Sequence, residues 1–447
     1  MQDRSDALRL ALRRGPVAAR ALAERLGVSQ PTVSRALAAL GDEVVRLGSA
    51  RSIQYVLRDL SRGYPAVPVH RVDAQGRTRW LGDLVPVHPG GHVMRQADGV
   101  ALHSDGLPWW LFDMRPQGYL GRAFLLRHGG ALGLPSRLSD WTDADAMRAL
   151  LAHGADPVGN LLLGEAALGH FVHGPVPEPI PEADKAATYA ALAGAAARGE
   201  APGSSAGGEQ PKFTAYAATS AGPRHMLVKF TEAEPGPVSE RWRDLLLAEH
   251  LALRVLNEAG LPASCTAVLD HAGQRFLEVE RFDRAGAMGR IGLFSLAALD
   301  AEFVGQGSGG WPSIVRALAG QRCVQPQAVE DAGRLWAFGT LIGNTDMHAG
   351  NLSFISEHGR PYALAPAYDM TPMAFAPRSG GGLPAAIPEA VIRPEVPSRL
   401  WREAEQLARR YLAALCGAPG FSDRFAACVD ALEAHIETAS TRIGRLA

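Results

Sequence analysis

Apolar residues recur along this chain with two periods, and the change of period marks out its parts. Residues 7–14 and 18–26 each carry an apolar stripe at helical spacing. Gly27-Val28-Ser29 then makes a turn before a third run, residues 30–40, which Ser29 is placed to cap. Leu22, Leu26, Val28, Val33, Leu37 and Leu40 supply the expected shared core. The period next drops to two: residues 44–47 and 52–57 read as paired strands about a Gly48-Ser49-Ala50-Arg51 turn. From 61 to 135 short strands between Gly and Pro turns dominate, at residues 67–70, 92–94 and 109–112 among others. Residues 174–210 are rich in Pro, Ala and Gly and include an Ala-rich helix over 183–198. Strands are expected at 213–217 and 226–230, a long amphipathic helix at 241–259, and a strand with a charged exit at 276–284. Beyond Leu293 the pattern is mostly helical and closes with helices at 398–415 and 422–445.

Composition narrows the class. At 447 residues and 47% hydrophobic content, several domains with sizeable cores are expected. No apolar run is long enough to span a bilayer, and the first residues lack the basic-then-apolar form of a signal peptide, so no membrane contact is expected and the cytoplasm is the expected compartment. Cys265, Cys323, Cys416 and Cys428 show no C-x-x-C spacing; they are expected to be buried thiols, not a zinc site. The net charge of −1 gives no overall attraction to nucleic acid, yet residues 1–60 hold ten Arg against six Asp and Glu. Among 45 Lys and Arg only Lys185, Lys212 and Lys229 are lysine, so those positions call for a compact ammonium rather than a planar guanidinium.

The strongest chemical signal is Gly343-Asn344-Thr345-Asp346-Met347-His348-Ala349-Gly350-Asn351, a polar loop between an apolar helical run (335–342) and a strand (352–355). Asp346 and Asn351 stand five apart, the spacing at which phosphoryl-transfer enzymes place a hydroxyl-orienting carboxylate and a metal-binding amide. A returning strand at 362–365 leads to Tyr368-Asp369, so Asp369 is expected beside Asn351, where both would bind Mg²⁺ next to a nucleotide. Upstream, Gly203 to Phe213 is a small-residue loop whose amides could cradle phosphate oxygens, followed by a strand that contains Lys229. That is the layout of a kinase N-lobe, with Lys229 reaching the phosphates and Glu249 of the long helix as its acidic partner. Taken singly, each feature also has an ordinary reading as turn, linker or exposed helix residue.

Two resemblances organise these signals. L-A-E-R-L-G-V-S-Q-P-T-V-S-R-A-L and the strands after it resemble a winged helix-turn-helix. Its usual docking would put Gln30, Thr32, Ser34 or Arg35 near bases in the major groove of duplex DNA, and Arg46 or Arg51 near phosphate. The ordered set S-A-G-G-E-Q-P-K, L-V-K-F, V-E-R-F-D-R and G-N-T-D-M-H-A-G-N-L-S-F with L-A-P-A-Y-D resembles the HipA family of bacterial serine/threonine protein kinases, toxin halves of toxin–antitoxin pairs. The resemblance implies ATP and Mg²⁺ as cofactors, Asp346 as the catalytic residue, and His348 contacting the nucleotide or orienting Asp346. It implies Asn351 and Asp369 as metal ligands. Ser205, Ala206, Gly207, Gly208, Lys212, Lys229, Glu280, Arg281 and Phe282 would surround the nucleotide, the last three as the adenine hinge. Ser205 matches the loop serine that such kinases autophosphorylate, with Ser204 adjacent.

The fold expected is therefore α+β: a winged helix-turn-helix (1–60), a β-rich subdomain (61–135), and a two-lobed kinase-like fold. Its N-lobe (136–285) would carry the phosphate loop and hinge, and its mainly helical C-lobe (286–447) the catalytic loop. HipA toxins normally lack a winged helix of their own and reach DNA through a separate antitoxin, so a fused DNA-binding unit leaves a separate antitoxin open. The substrate would be a protein, a translation component being one class. A small-molecule kinase, a transcription regulator that senses nucleotide, and a metal-dependent nuclease built on Asp346, His348 and Asp369 are the competing readings.

Overall fold

The computed structural model describes residues 2–48, 52–199, 210–307 and 309–446. Arg51 and the stretch with Ser204, Ser205, Ala206, Gly207 and Gly208 lie outside the described residues.

Helices Gln2–Leu12, Ala19–Leu26 and Gln30–Leu40 close on a core of Leu8, Leu12, Leu22, Val33 and Leu37. Gly27, at φ 62°, ends the second helix with its N–H on the carbonyls of Ala23 and Glu24, a left-handed cap that a Cβ would disfavour. Ser29 occupies the cap position of the third helix, but its side chain does not cap. Pro31 offers no N–H, and the Thr32 N–H goes to the Ser29 carbonyl at 3.0 Å; the Ser29 hydroxyl instead meets that of Thr32 at 2.9 Å. Strands Val44–Leu47 and Gln54–Leu57 pair, and Val17–Ala18 adds a third on the free side of Gln54–Leu57.

This hairpin does not stand alone. Its inner residues Val45, Leu47 and Val56 share a core with Val85, Val87 and Val93 of the next sheet. The connection is stitched by Asp59 N–H to the Pro86 carbonyl and His88 N–H to the Leu57 carbonyl, both 2.9 Å.

That next sheet is antiparallel and five-stranded, in the order Ala101–Ser104, Gly91–Gln96, Thr78–Val87, Val67–Val72, Leu161–Leu163. Its last strand comes from the 136–285 segment and crosses back to pair with Val67–Val72. The stretch 109–112, expected as a strand, is instead part of a 3-10 helix, Trp109–Met114. Leu111 and Met114, three apart, are the residues it buries, the spacing that a 3-10 turn brings onto one side.

A four-stranded antiparallel sheet follows, ordered Thr266–His271, Gln274–Glu280, Arg224–Phe230, Lys212–Ala217. Strand alternation divides its faces. Phe213, Met226, Val228, Phe230 and Phe276 pack against Tyr189 and Ala193 of helix Lys185–Ala197. Lys212 and Lys229, directly opposite each other in register, face the other way. Helix Pro237–Glu258 packs on that side through Leu246, against Leu277 and Val279. Helices Leu296–Phe303, Trp311–Gly320, Gln327–Leu341, Ser398–Gly417 and Ala426–Ile443 then enclose a large core holding Trp311, Phe338, Trp401 and Tyr411.

The whole is a mixed α and β structure. The expectation of four buried thiols holds for Cys323 and Cys428; Cys265 and Cys416 are exposed, and all four are free. Among the described residues no helix is long and apolar enough to cross a membrane.

Candidate active site

A cavity of about 460 Å³ opens between the four-stranded sheet and the helical part. On the sheet side, Lys229 is almost fully buried, and its Nζ donates to both oxygens of Glu249, at 2.6 and 2.8 Å, and to Asp369 Oδ1 at 2.5 Å. Val228 and Phe230, its apolar neighbours in sequence, belong to the opposite face, which is why a lysine could sit in so hydrophobic a strand. Burial alone would lower the Lys229 pKa, but the two carboxylates outweigh it and hold the ammonium above its ordinary value. Glu249 has no exposed surface and also accepts the Thr371 hydroxyl at 2.9 Å.

Asp369 sits at φ 53°, an uncommon backbone state for a non-glycine residue and one that gathers at functional sites. Burial pushes its carboxyl up, yet Lys229 and Lys212 hold it below its usual range. Asn344 fixes this geometry from both sides: its Nδ2 donates to the Asp369 carbonyl at 3.1 Å, and its Oδ1 accepts the Asp346 N–H at 3.0 Å.

The loop before the strand Ser353–Ser356 is pinned as well. Asn351 Nδ2 donates to the Asp346 carbonyl at 2.8 Å, which leaves Oδ1 as its cation-binding atom. His348 Nδ1 accepts the Gly350 N–H at 3.0 Å, so the proton of the neutral ring is on Nε2. A Cβ on Gly350 would lie 2.8 Å from the His348 ring, so the position takes only glycine without displacement. Tyr368 closes the loop, its hydroxyl donating to the Gly350 carbonyl at 2.8 Å. His348, Gly350, Asn351, Tyr368 and Asp369 all line the cavity. Asp346 does not; it is exposed beside the cavity.

Glu280, Arg281 and Phe282 line the far end. Glu280 pairs with Arg224 at 3.0 Å, and Arg281 with Asp283 at 2.9 Å. Both side chains are thus spent on ion pairs, and what remains for a ligand is the Phe282 ring, 5.6 Å from that of Tyr368, and the backbone. Lys212 lines the cavity as expected.

Several lining residues were not anticipated. Phe112, Asp113 and Gln117 come from the segment that follows strand Ala101–Ser104. Asp113 accepts both the N–H and the hydroxyl of Ser295, each at 2.6 Å, and burial pushes its carboxyl up against those hydrogen bonds. Only tertiary folding brings Asp113 to Ser295; the one local sign was Ser295 as a cap of helix Leu296–Phe303. Among the described residues no three His, Cys, Asp or Glu side chains are grouped to hold a metal by themselves. The Asn351 amide oxygen and the Asp369 carboxylate suit Mg²⁺, which binds few protein oxygens and completes its shell with water and phosphate.

In the N-terminal unit, Gln30, Ser34 and Arg35 are exposed along the third helix, Thr32 is half-buried, and Arg46 is exposed on the hairpin.

Residues 64–172 match the family model "YjjJ-like toxin, middle domain", and residues 204–437 match "HipA-like C-terminal domain". Toxin YjjJ of Escherichia coli (strain K12) is 40% identical over 438 residues, 97% of this chain and 98% of that protein. Among solved structures, a HipA, HipB and operator DNA complex of Shewanella oneidensis MR-1 gives a TM-score of 0.46 at 16% identity, covering 84% of this chain and 97% of its own. The Helicobacter pylori proinflammatory kinase CtkA gives 0.39 at 14% identity, covering 55% of this chain and 95% of its own. With over half its length in the HipA-like C-terminal model and a toxin relative matched nearly end to end, this chain belongs to the HipA-like toxin family.

Proposed function

We propose that the protein is an ATP- and Mg²⁺-dependent serine/threonine protein kinase that inhibits growth and carries its own DNA-binding unit. The observation that carries this reading is the convergence of Lys229, Glu249 and Asp369 on one ion cluster, from a strand, a helix and a loop 140 residues apart at the extremes. Phosphoryl transfer needs little covalent chemistry from the protein; it needs positioning and charge neutralisation. Lys229 and Lys212 would neutralise phosphate oxygens, and Asn351 and Asp369 would hold Mg²⁺. Asp346, exposed at the cavity edge, would orient the acceptor hydroxyl. The Phe282 ring and the backbone of residues 280–282 would receive adenine. Bound Mg²⁺ would supply charge neutralisation on the phosphates. Accepting a bulky protein substrate fits an Asp346 that faces solvent better than one enclosed with the nucleotide, which distinguishes this reading from a small-molecule kinase.

Purified protein incubated with radiolabelled ATP, alone and with cell lysate, tests the proposal. Label should enter this chain and at least one lysate protein. Mass spectrometry should find the self-incorporated phosphate on the peptide holding Ser204 and Ser205, where about −1.5 to −2 added charge would oppose ATP binding. Label entering only small metabolites would replace the proposal with a metabolite kinase.

The exposed face of helix Gln30–Leu40 and the arginine surplus of residues 1–60 support duplex DNA binding in winged helix-turn-helix fashion. Binding of the full chain should weaken steeply as salt rises, because phosphate contacts release counterions. Arg35→Ala and Arg46→Ala should weaken it without altering ATP hydrolysis or label transfer. Point substitutions are the right test here, since deleting residues 1–60 would strip Val45, Leu47 and Val56 from the core they share with the five-stranded sheet. Salt-independent binding, or none at micromolar protein, would make this unit a protein-contact module.

A further inference from the structure

Behind the candidate active site lies a second cavity, of about 650 Å³, between the five-stranded sheet and the helical part. Two elements form walls of both. In the strand Gly292–Ser295, Leu293 and Ser295 line the first cavity while Gly292 and Phe294 line the second. In the 3-10 helix Trp109–Met114, Phe112 and Asp113 face the first while Trp109 and Trp110 face the second. The Asp113–Ser295 hydrogen bonds fasten these two elements together.

The chemistry of the second cavity is specific. Arg71 and Arg79 stand directly opposite each other on paired strands and both line it. Like charges so placed repel; Arg71 is half-buried and Arg79 exposed, and among the described residues neither guanidinium has a hydrogen-bonded or ion-paired partner. The carboxylates on the lining, Asp98, Glu302 and Glu357, are all exposed to solvent. Arg360 is already engaged, lying 4.5 Å over the Phe303 ring. Asn160 is 7% exposed, lines the cavity, and has no hydrogen bond from its carboxamide to any described residue. A side chain that buried and that polar ordinarily has a partner. The remaining wall is aromatic: Trp109 lies 5.1 Å from Phe294, which lies 4.9 Å from Tyr362.

We propose that this second cavity binds a small ring-bearing anion of the mononucleotide class. The flat ring packs on the Trp109 and Phe294 wall, the Asn160 carboxamide offers a donor and an acceptor to the ring edge, and Arg71 with Arg79 takes the anionic group. The volume lies within the usual range for small-ligand sites.

The two cavities differ in a way that makes the test direct: tryptophans line the second and none lines the first. Full-length protein is titrated with AMP, and with adenosine as the ring lacking the anion, while tryptophan fluorescence is followed. Saturable quenching by AMP is expected, with adenosine at least about tenfold weaker for want of charge-assisted hydrogen bonds. Quenching should persist in Lys229→Ala and be weakened at least about tenfold in Arg71→Gln/Arg79→Gln. Arg79→Gln alone, at an exposed position where folding is not at risk, should give an intermediate loss. No saturable quenching, equal affinity for AMP and adenosine, or unchanged affinity in the arginine variants would each overturn the assignment. These readings do not depend on phosphoryl transfer. A protein that binds AMP as described but transfers no phosphate would refute the kinase reading and leave the second site standing.

Discussion

Asp346→Asn is expected to lower phosphoryl transfer by about 10²–10⁴-fold, the range for removing a positioned carboxylate that orients or deprotonates a nucleophile. ATP affinity should stay nearly unchanged, because Asp346 is exposed and outside the cavity lining. Lys229→Ala and Asp369→Ala should cost as much or more, by a different route. Removing Lys229 leaves the Glu249 and Asp369 carboxylates without the ammonium that joins them, so ATP binding fails together with turnover. Removing Asp369 would take away a proposed metal ligand, and its defect should deepen as Mg²⁺ is lowered. Transfer rates with the lysate substrate, paired with calorimetric ATP titration, separate the cases. Near-wild-type transfer in Asp346→Asn would sink the catalytic assignment, and unaltered ATP affinity in Lys229→Ala would sink that of the phosphate lysine.

Glu278→Ala should produce the largest loss of stability outside the apolar cores, about 3–5 kcal/mol, the range for breaking a buried ion pair from one side. Glu278 lies on the strand Gln274–Glu280, on the face away from the active site. It accepts the Tyr189 hydroxyl at 2.5 Å and pairs with Lys185 Nζ at 3.0 Å, and all three residues are buried. Alanine leaves a buried ammonium with only the solvent-exposed Glu182 beside it, at 2.9 Å. Chemical denaturation should show the loss, and the double variant Lys185→Met/Glu278→Leu should recover much of it by removing both charges. A Glu278→Ala protein within about 1 kcal/mol of wild type, the ordinary scale of point substitutions, would refute the account. The pH dependence has a definite sign. Burial would lower the Lys185 pKa, but Glu182 and Glu278 raise it above its ordinary value. Its contribution is therefore complete below about pH 10, the ordinary lysine value, and is lost as pH rises through the folded value.

The three lysines show how much of the protein could be read before its fold was known. Scarcity in an arginine-rich chain singled them out, and each proved to be nearly fully buried, where a compact charge fits. Their partners were less legible. Glu249 was proposed for Lys229 from the kinase layout, whereas nothing local linked Lys185 to Glu278, 93 positions away. The third helix of the N-terminal unit falls at the residues its apolar period and the Gly27-Val28-Ser29 turn predict, 30–40, although the Ser29 side chain does not cap it. The run 109–112 was misread, since two tryptophans followed by Leu and Phe have strand propensity; the burial of Leu111 and Met114 on one side decided for a 3-10 turn.

By itself, the sequence determined most of the elements and singled out Asp346 and Asn351 as candidates, because helical and strand periods, turns and the Asp346-to-Asn351 spacing are local and need no distant partner. It also determined that three lysines are special, since composition is independent of fold. Only the tertiary structure decided that Asp113 and Ser295 join the wall of the candidate site, that the hairpin of the first unit is welded to the second, and that a second cavity shares two walls with the first. Each of these rests on contacts between residues tens to hundreds of positions apart. No periodicity or spacing encodes such contacts, since they arise only when apolar faces of separate elements are buried against one another.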